Sequence, residues 1–76
     1  MRQSNYANSY SQVKDFLGSL LQVGDVVATT INYGDITMTE CKILSIGQYS
    51  LRLSYIDRFN EERITSKYPA QVIKIS

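Results

Sequence analysis

Apolar residues recur along this chain with two different periods, and the change of period divides it. Val13, Phe16, Leu17, Leu20 and Leu21 stand at i, i+3, i+4, i+7 and i+8, a single apolar stripe on a helix. Ser9 with Gln12 three positions on resembles a capping box at the start of that helix, and Gly24-Asp25 closes it. The pattern therefore predicts an N-terminal helix over about residues 9–22. So short a helix does not stand alone in water and needs a surface to lie on. Ahead of it, Met1–Asn8 is polar and lacks periodicity, which reads as a disordered tail.

From Asp25 onward the period is that of strands. Val26, Val27, Thr29, Thr30 and Ile31 are β-branched and suit a pleated surface. Asn32-Tyr33-Gly34-Asp35 is a turn by composition. Ile36–Ile46 reads as one long strand, with Ile36, Met38, Leu44 and Ile46 on one parity and Cys41 and Ile43 on the other. Apolar residues on both parities point to a bent strand that passes from one layer to another. A tight turn at Gly47-Gln48, with glycine supplying a positive φ, leads into Tyr49–Ile56. There Leu51, Leu53 and Tyr55 share one face, and Ser50, Arg52 and Ser54 the other. The polar turn Asp57–Glu62 precedes a fourth strand at about Arg63–Lys67, and Gln71–Ile75 makes a fifth after Pro69. The predicted fold is mainly β, a small, strongly bent antiparallel barrel behind an N-terminal helix. It forms one domain over residues 9–76, with the barrel at about 25–76.

Composition narrows what such a domain does. At 76 residues it buries only about 60% of its unfolded surface, so its own core leaves a thin margin. With one cysteine and no histidine, neither an intrachain disulfide nor an ordinary zinc site can form. Association is the remaining device. The lone cysteine fits a reducing, cytoplasmic setting, and no apolar run approaches a membrane span. Eight basic against seven acidic residues leave no general attraction for phosphate, so any nucleic-acid role must come from a local patch or from stacking. No nucleophile–base pair, metal cluster or phosphate-cradling glycine loop is present, so neither catalysis nor a cofactor is expected.

Asp15-Phe16-Leu17-Gly18-Ser19-Leu20, the Asn32-Tyr33-Gly34 turn, Ile43–Leu53 and Ser66-Lys67-Tyr68-Pro69-Ala70 together resemble the Sm-like family, above all its bacterial Hfq branch. The likeness covers roughly Asp15–Ile75 and is one of pattern more than identity; a phage origin is compatible with so divergent a member. It implies an Sm-like, SH3-like barrel in a closed homo-oligomeric ring of five to seven subunits. In such a ring the fourth strand of one copy adds to the fifth of its neighbour. It further implies that Gln48, Tyr49, Lys67 and Tyr68 line a central pore and bind single-stranded RNA, as in a chaperone or scaffold. The chemistry is sound in itself: an aromatic face stacks a base, an amide reads a base edge and a lysine meets phosphate. This chain departs from the family at Gly47, where an aspartate is usual, at Cys41 in place of a strand glycine, and at Tyr68 in place of the pore histidine.

Each of these residues also has a plainer reading. Tyr49 shares parity with Leu51 and Leu53 and would cap a core. Gln48 would serve the turn, Lys67 would be a solvated charge, and Tyr68 would pack in an extended dipeptide before proline. Cys41 reads as a small buried hydrophobe, and Asp57, Arg58, Glu61, Glu62 and Arg63 as a solvated turn. The alternatives to an RNA-binding ring are a monomeric SH3-like module of the Tudor or KOW type, or a purely structural ring.

Overall fold

The computed structural model describes residues 13–32 and 37–76; the polar tail, the expected capping box of Ser9 and Gln12, most of the first turn and the expected strand start at Ile36 lie outside them. Five strands form one antiparallel sheet: β1 (Val26–Thr29), β2 (Thr39–Ile46), β3 (Leu51–Ile56), β4 (Glu62–Lys67) and β5 (Ile73–Lys74). Their order across the sheet is β4-β3-β2-β1-β5. The first four are a meander, and β5 crosses back to pair with β1. The sheet is therefore open, with β4 and β5 as its edges.

Alternation decides which face is buried. Val27 and Thr29 of β1, Cys41 and Ile43 of β2, and Leu51 and Leu53 of β3 all point inward, joined by Val72 just before β5 and by Leu21. The mixed parity of β2 is resolved by a bulge between Ile43 and Ser45. One extra residue there turns Ile46 back toward the core while Leu44 stays outside.

No α-helix occurs among the described residues; the predicted helix over 9–22 is replaced, in its described part, by a folded strap. Asp15 is the cause. Its Oδ1 accepts the backbone N–H groups of Leu17 (2.9 Å) and Ser19 (2.7 Å), and its Oδ2 accepts that of Lys74 in β5 (2.6 Å). A carboxylate that satisfies local N–H groups offers the backbone an alternative to the helical ladder. Gly18 then reverses the chain at φ +90°, and Lys14 and Leu20 meet as a β-bridge. Of the apolar stripe only Leu21 is buried, with Val13 packed beside the core; Phe16, Leu17 and Leu20 are exposed.

The strap also runs along the outer side of β5, where Phe16 N–H donates to the Val72 carbonyl at 3.0 Å. Lys74 ties the two together again, its ammonium 3.4 Å from Asp25 and 3.3 Å from the Leu20 carbonyl. Burial alone raises the Asp15 carboxyl pKa. The N–H groups of Lys74, Ser19, Leu17 and Gly18 outweigh that and hold it below the usual aspartate value.

Candidate functional site

The β2–β3 corner differs from its expected form by one residue. Gly47 N–H donates to the Ser50 carbonyl at 2.8 Å, which puts Gln48 and Tyr49 at the tip. Gly47 has no positive φ; glycine fits there because a Cβ would stand 3.2 Å from the Ser50 carbonyl oxygen. The tip thus presents Tyr49 to solvent, 74% exposed, and excludes the reading of Tyr49 as a core cap.

Leu51 pairs with Lys67 across β3 and β4, so the residues just before β3 and just after β4 lie side by side. Tyr49, Ser50, Ser66, Lys67, Tyr68 and Gln71 line one cavity of about 400 Å³ at this end of the sheet. Three of the four residues expected at the site are thereby brought together: Tyr49, Lys67 and Tyr68. Gln48 is exposed at the tip and does not line the cavity.

Gln71 supplies the amide instead, and the sequence reading overlooked it. Tyr68-Pro69-Ala70-Gln71 forms a 3-10 turn, Pro69–Gln71, in which Gln71 N–H donates to the Tyr68 carbonyl at 2.9 Å. The Gln71 Oε1 accepts the Tyr68 N–H at 2.9 Å in return. Proline at the first position and glutamine at the third were the available signal. This turn also explains Pro69, which precedes no paired strand directly. The buried hydroxyl of Thr29 donates to the Gln71 carbonyl at 2.7 Å and ties this turn to β1.

The cavity offers two phenol rings, two serine hydroxyls and one ammonium. Tyr68 is 61% exposed, and Lys67 has no ion-pair partner among the described residues. A second cavity, of about 450 Å³, is lined by Glu40, Lys42, Tyr55 and Glu62 among others. Its two carboxylates against one lysine repel an anionic chain, so we place the candidate site at the Tyr49 end although the other space is larger.

The acidic turn after β3 is a structural device. Asp57 accepts N–H groups of Phe59 (2.8 Å) and Glu61 (2.9 Å) and the Arg63 Nε (2.8 Å). The Arg63 hydrogen bond, with the two backbone donors, holds the Asp57 carboxyl below its usual value against a small opposing effect of burial. No group of three or more His, Cys, Asp or Glu side chains placed to hold a metal occurs among the described residues. Cys41 is buried; burial, with the charge of Glu40, raises its thiol pKa against the opposing pull of Lys67. No helix among the described residues is long and apolar enough to cross a membrane.

Residues 13–75 match a family model described as a domain of unknown function, DUF7205. No curated protein and no solved structure matches the chain.

Proposed function

The chain belongs to the DUF7205 family, a domain of unknown function, and from its geometry we propose a non-catalytic protein that binds single-stranded RNA. On this reading it is an RNA chaperone or scaffold with an Sm-like, SH3-like small barrel. The observation that carries the reading is the convergence of Tyr49, Lys67 and Tyr68 on one cavity beside the Gln71 amide. Two exposed rings give a base a stacking platform, and the Lys67 ammonium in the same cavity meets a phosphate. With so little net charge the affinity rests on stacking, so its salt dependence is shallow, about −0.7 in log–log slope for each phosphate met.

The test is fluorescence anisotropy with short U-rich and A-rich RNA at near-physiological salt. Loss of one stacking ring, in Tyr49→Ala or Tyr68→Ala, costs about 1–3 kcal/mol, a Kd roughly 5- to 150-fold weaker. Lys67→Ala flattens the salt slope further. Absence of saturable binding by the wild type would overturn the reading, whatever the fold.

A ring of five to seven subunits built from the fourth and fifth strands needs the outer edge of β5. Phe16 and Asp15 already occupy the Val72 carbonyl and the Lys74 N–H there, so ring closure requires the strap to lift. That same capping favours the second reading, a monomeric SH3-like module that holds a peptide or protein through its exposed tyrosines.

A further inference from the structure

The two edges of the sheet are not equivalent. On β5 the outward-facing carbonyl of Val72 and N–H of Lys74 are engaged by the strap. On β4 the direction of the free backbone groups follows from two separate hydrogen bonds. Asp57 N–H reaches the Glu61 carbonyl, and Gly47 N–H reaches the Ser50 carbonyl. Backbone groups alternate in direction along a strand. The first bond therefore turns Arg63, Thr65 and Lys67 toward β3, and the second, read along β3, assigns the same phase. Glu62, Ile64 and Ser66 consequently present their N–H and C=O groups outward, and these have no partner among the described residues. A strand edge with such a row is a template for another strand.

We propose that β4 pairs with β4 of a second copy of this chain, antiparallel about a two-fold axis, to make one continuous sheet across the dimer. Centring the two-fold axis on Ile64, the middle of the three outward-facing residues, sets the register that uses all of them. Ile64 faces Ile64 of the second copy, and Glu62 faces Ser66 at both ends, all with outward-directed backbone groups. Each facing pair of this kind exchanges two hydrogen bonds, about six in all. The side chains agree with that register. Ile64, 53% exposed, covers its own counterpart, and Glu61 comes opposite Lys67 of the second copy at each end, pairing opposite charges across strands. A one-patch, self-complementary contact closes on itself and leaves only the strap-covered β5 edges. Its closure contrasts with the strand addition of a ring, which consumes β5.

This assembly deepens the reading of the cavity and, in that respect alone, rests on it. The same register sets Tyr68 opposite Asn60 of the second copy. The second copy's turn, with Arg58 stacked 5.9 Å from the Phe59 ring centre, then stands at the cavity rim. A single-stranded RNA leaving the Tyr49–Tyr68 platform would meet a further cation and aromatic face there.

The experiment is native mass spectrometry and sedimentation equilibrium of the full chain without RNA, from micromolar to millimolar concentration. A mass of two chains is expected. Ile64→Pro removes an N–H that points away from β3, where edge strands accept proline; it should give a monomer with an unchanged far-UV spectrum. Glu61→Lys, which sets like charges opposite Lys67, weakens association roughly tenfold, and adding Lys67→Glu restores it. A wild-type monomer throughout, a mass of five to seven chains, or a charge swap without rescue overturns the proposal; so does a folded Ile64→Pro dimer. Should Ile64→Pro lose its spectrum, the charge pair decides. RNA affinity is read separately by anisotropy on the wild type and on Ile64→Pro, which leave Lys67 in the cavity intact, so failure of dimerisation and failure of RNA binding are told apart.

Discussion

Replacing Asp15 with alanine removes the side chain that makes the most hydrogen bonds between the strap and the sheet and within the strap. Its carboxylate accepts three backbone N–H groups, from Leu17, Ser19 and Lys74, on a residue only 6% exposed. A single hydrogen bond to a charged acceptor contributes about 1.5–3 kcal/mol net of solvation, and the three share one carboxylate, so their losses do not simply add. Solvent reaches the outer side of the strap, so we expect a net loss of about 3–5 kcal/mol. A chain of this size holds roughly 4–11 kcal/mol in total, and the melting temperature should fall by some 4–8 °C for each kcal/mol. Asp15→Asn keeps an acceptor for Leu17 and Ser19 but turns an amide N–H against the Lys74 N–H, so its loss should fall between wild type and alanine.

Urea unfolding at neutral pH, followed by far-UV circular dichroism, measures all three proteins. The same experiment against pH carries a sign. Because the Asp15 pKa is lower folded than unfolded, the unfolded chain binds more protons in the window between the two values. The stabilisation is fully present above the unfolded value, about 3.9, and is lost as pH falls through the folded one. Wild type should therefore lose stability below about pH 4 more steeply than Asp15→Ala. An alanine variant within about 1 kcal/mol of wild type, or one with the same acid slope, would refute the role given to the Asp15 carboxylate.

Two further outcomes are expected. Thr29→Val removes the buried hydroxyl that donates to the Gln71 carbonyl and should cost about 1–2 kcal/mol in the same urea assay. Cys41, buried and with its thiol pKa raised, should react with a thiol reagent at pH 8 only slowly in the native protein and rapidly in denaturant. Fast native labelling would contradict the placement of β2.

The strands were legible because their alternation coincides with burial: Leu51 and Leu53 face the core as their spacing requires, and the doubled parity of β2 is the trace of its bulge. The N-terminal segment was misread because its helical spacing is real but unused. Phe16 and Leu17 are each 67% exposed, and the side chain that decides the conformation there is a polar one, Asp15. A single carboxylate bound to β5 outweighs a periodic stripe, and no local pattern records a partner so distant in sequence. At the cavity, Tyr49, Lys67 and Tyr68 were found through the resemblance, whereas Gln71 depends on a turn in which proline and glutamine act together.

The strap's bond from Asp15 to Lys74 joins residues 59 apart in sequence, and Thr29 reaches Gln71 across 42. The β2–β3 and β3–β4 ladders, by contrast, join neighbouring strands across short connections. Closing a long loop costs entropy before any contact repays it, and chains rich in such contacts fold slowly. The meander should thus be in place before β5 arrives, with the strap docking last. Until then both edges of the young sheet are bare, and the time before Asp15 finds Lys74 is when this chain is most exposed to wrong partners.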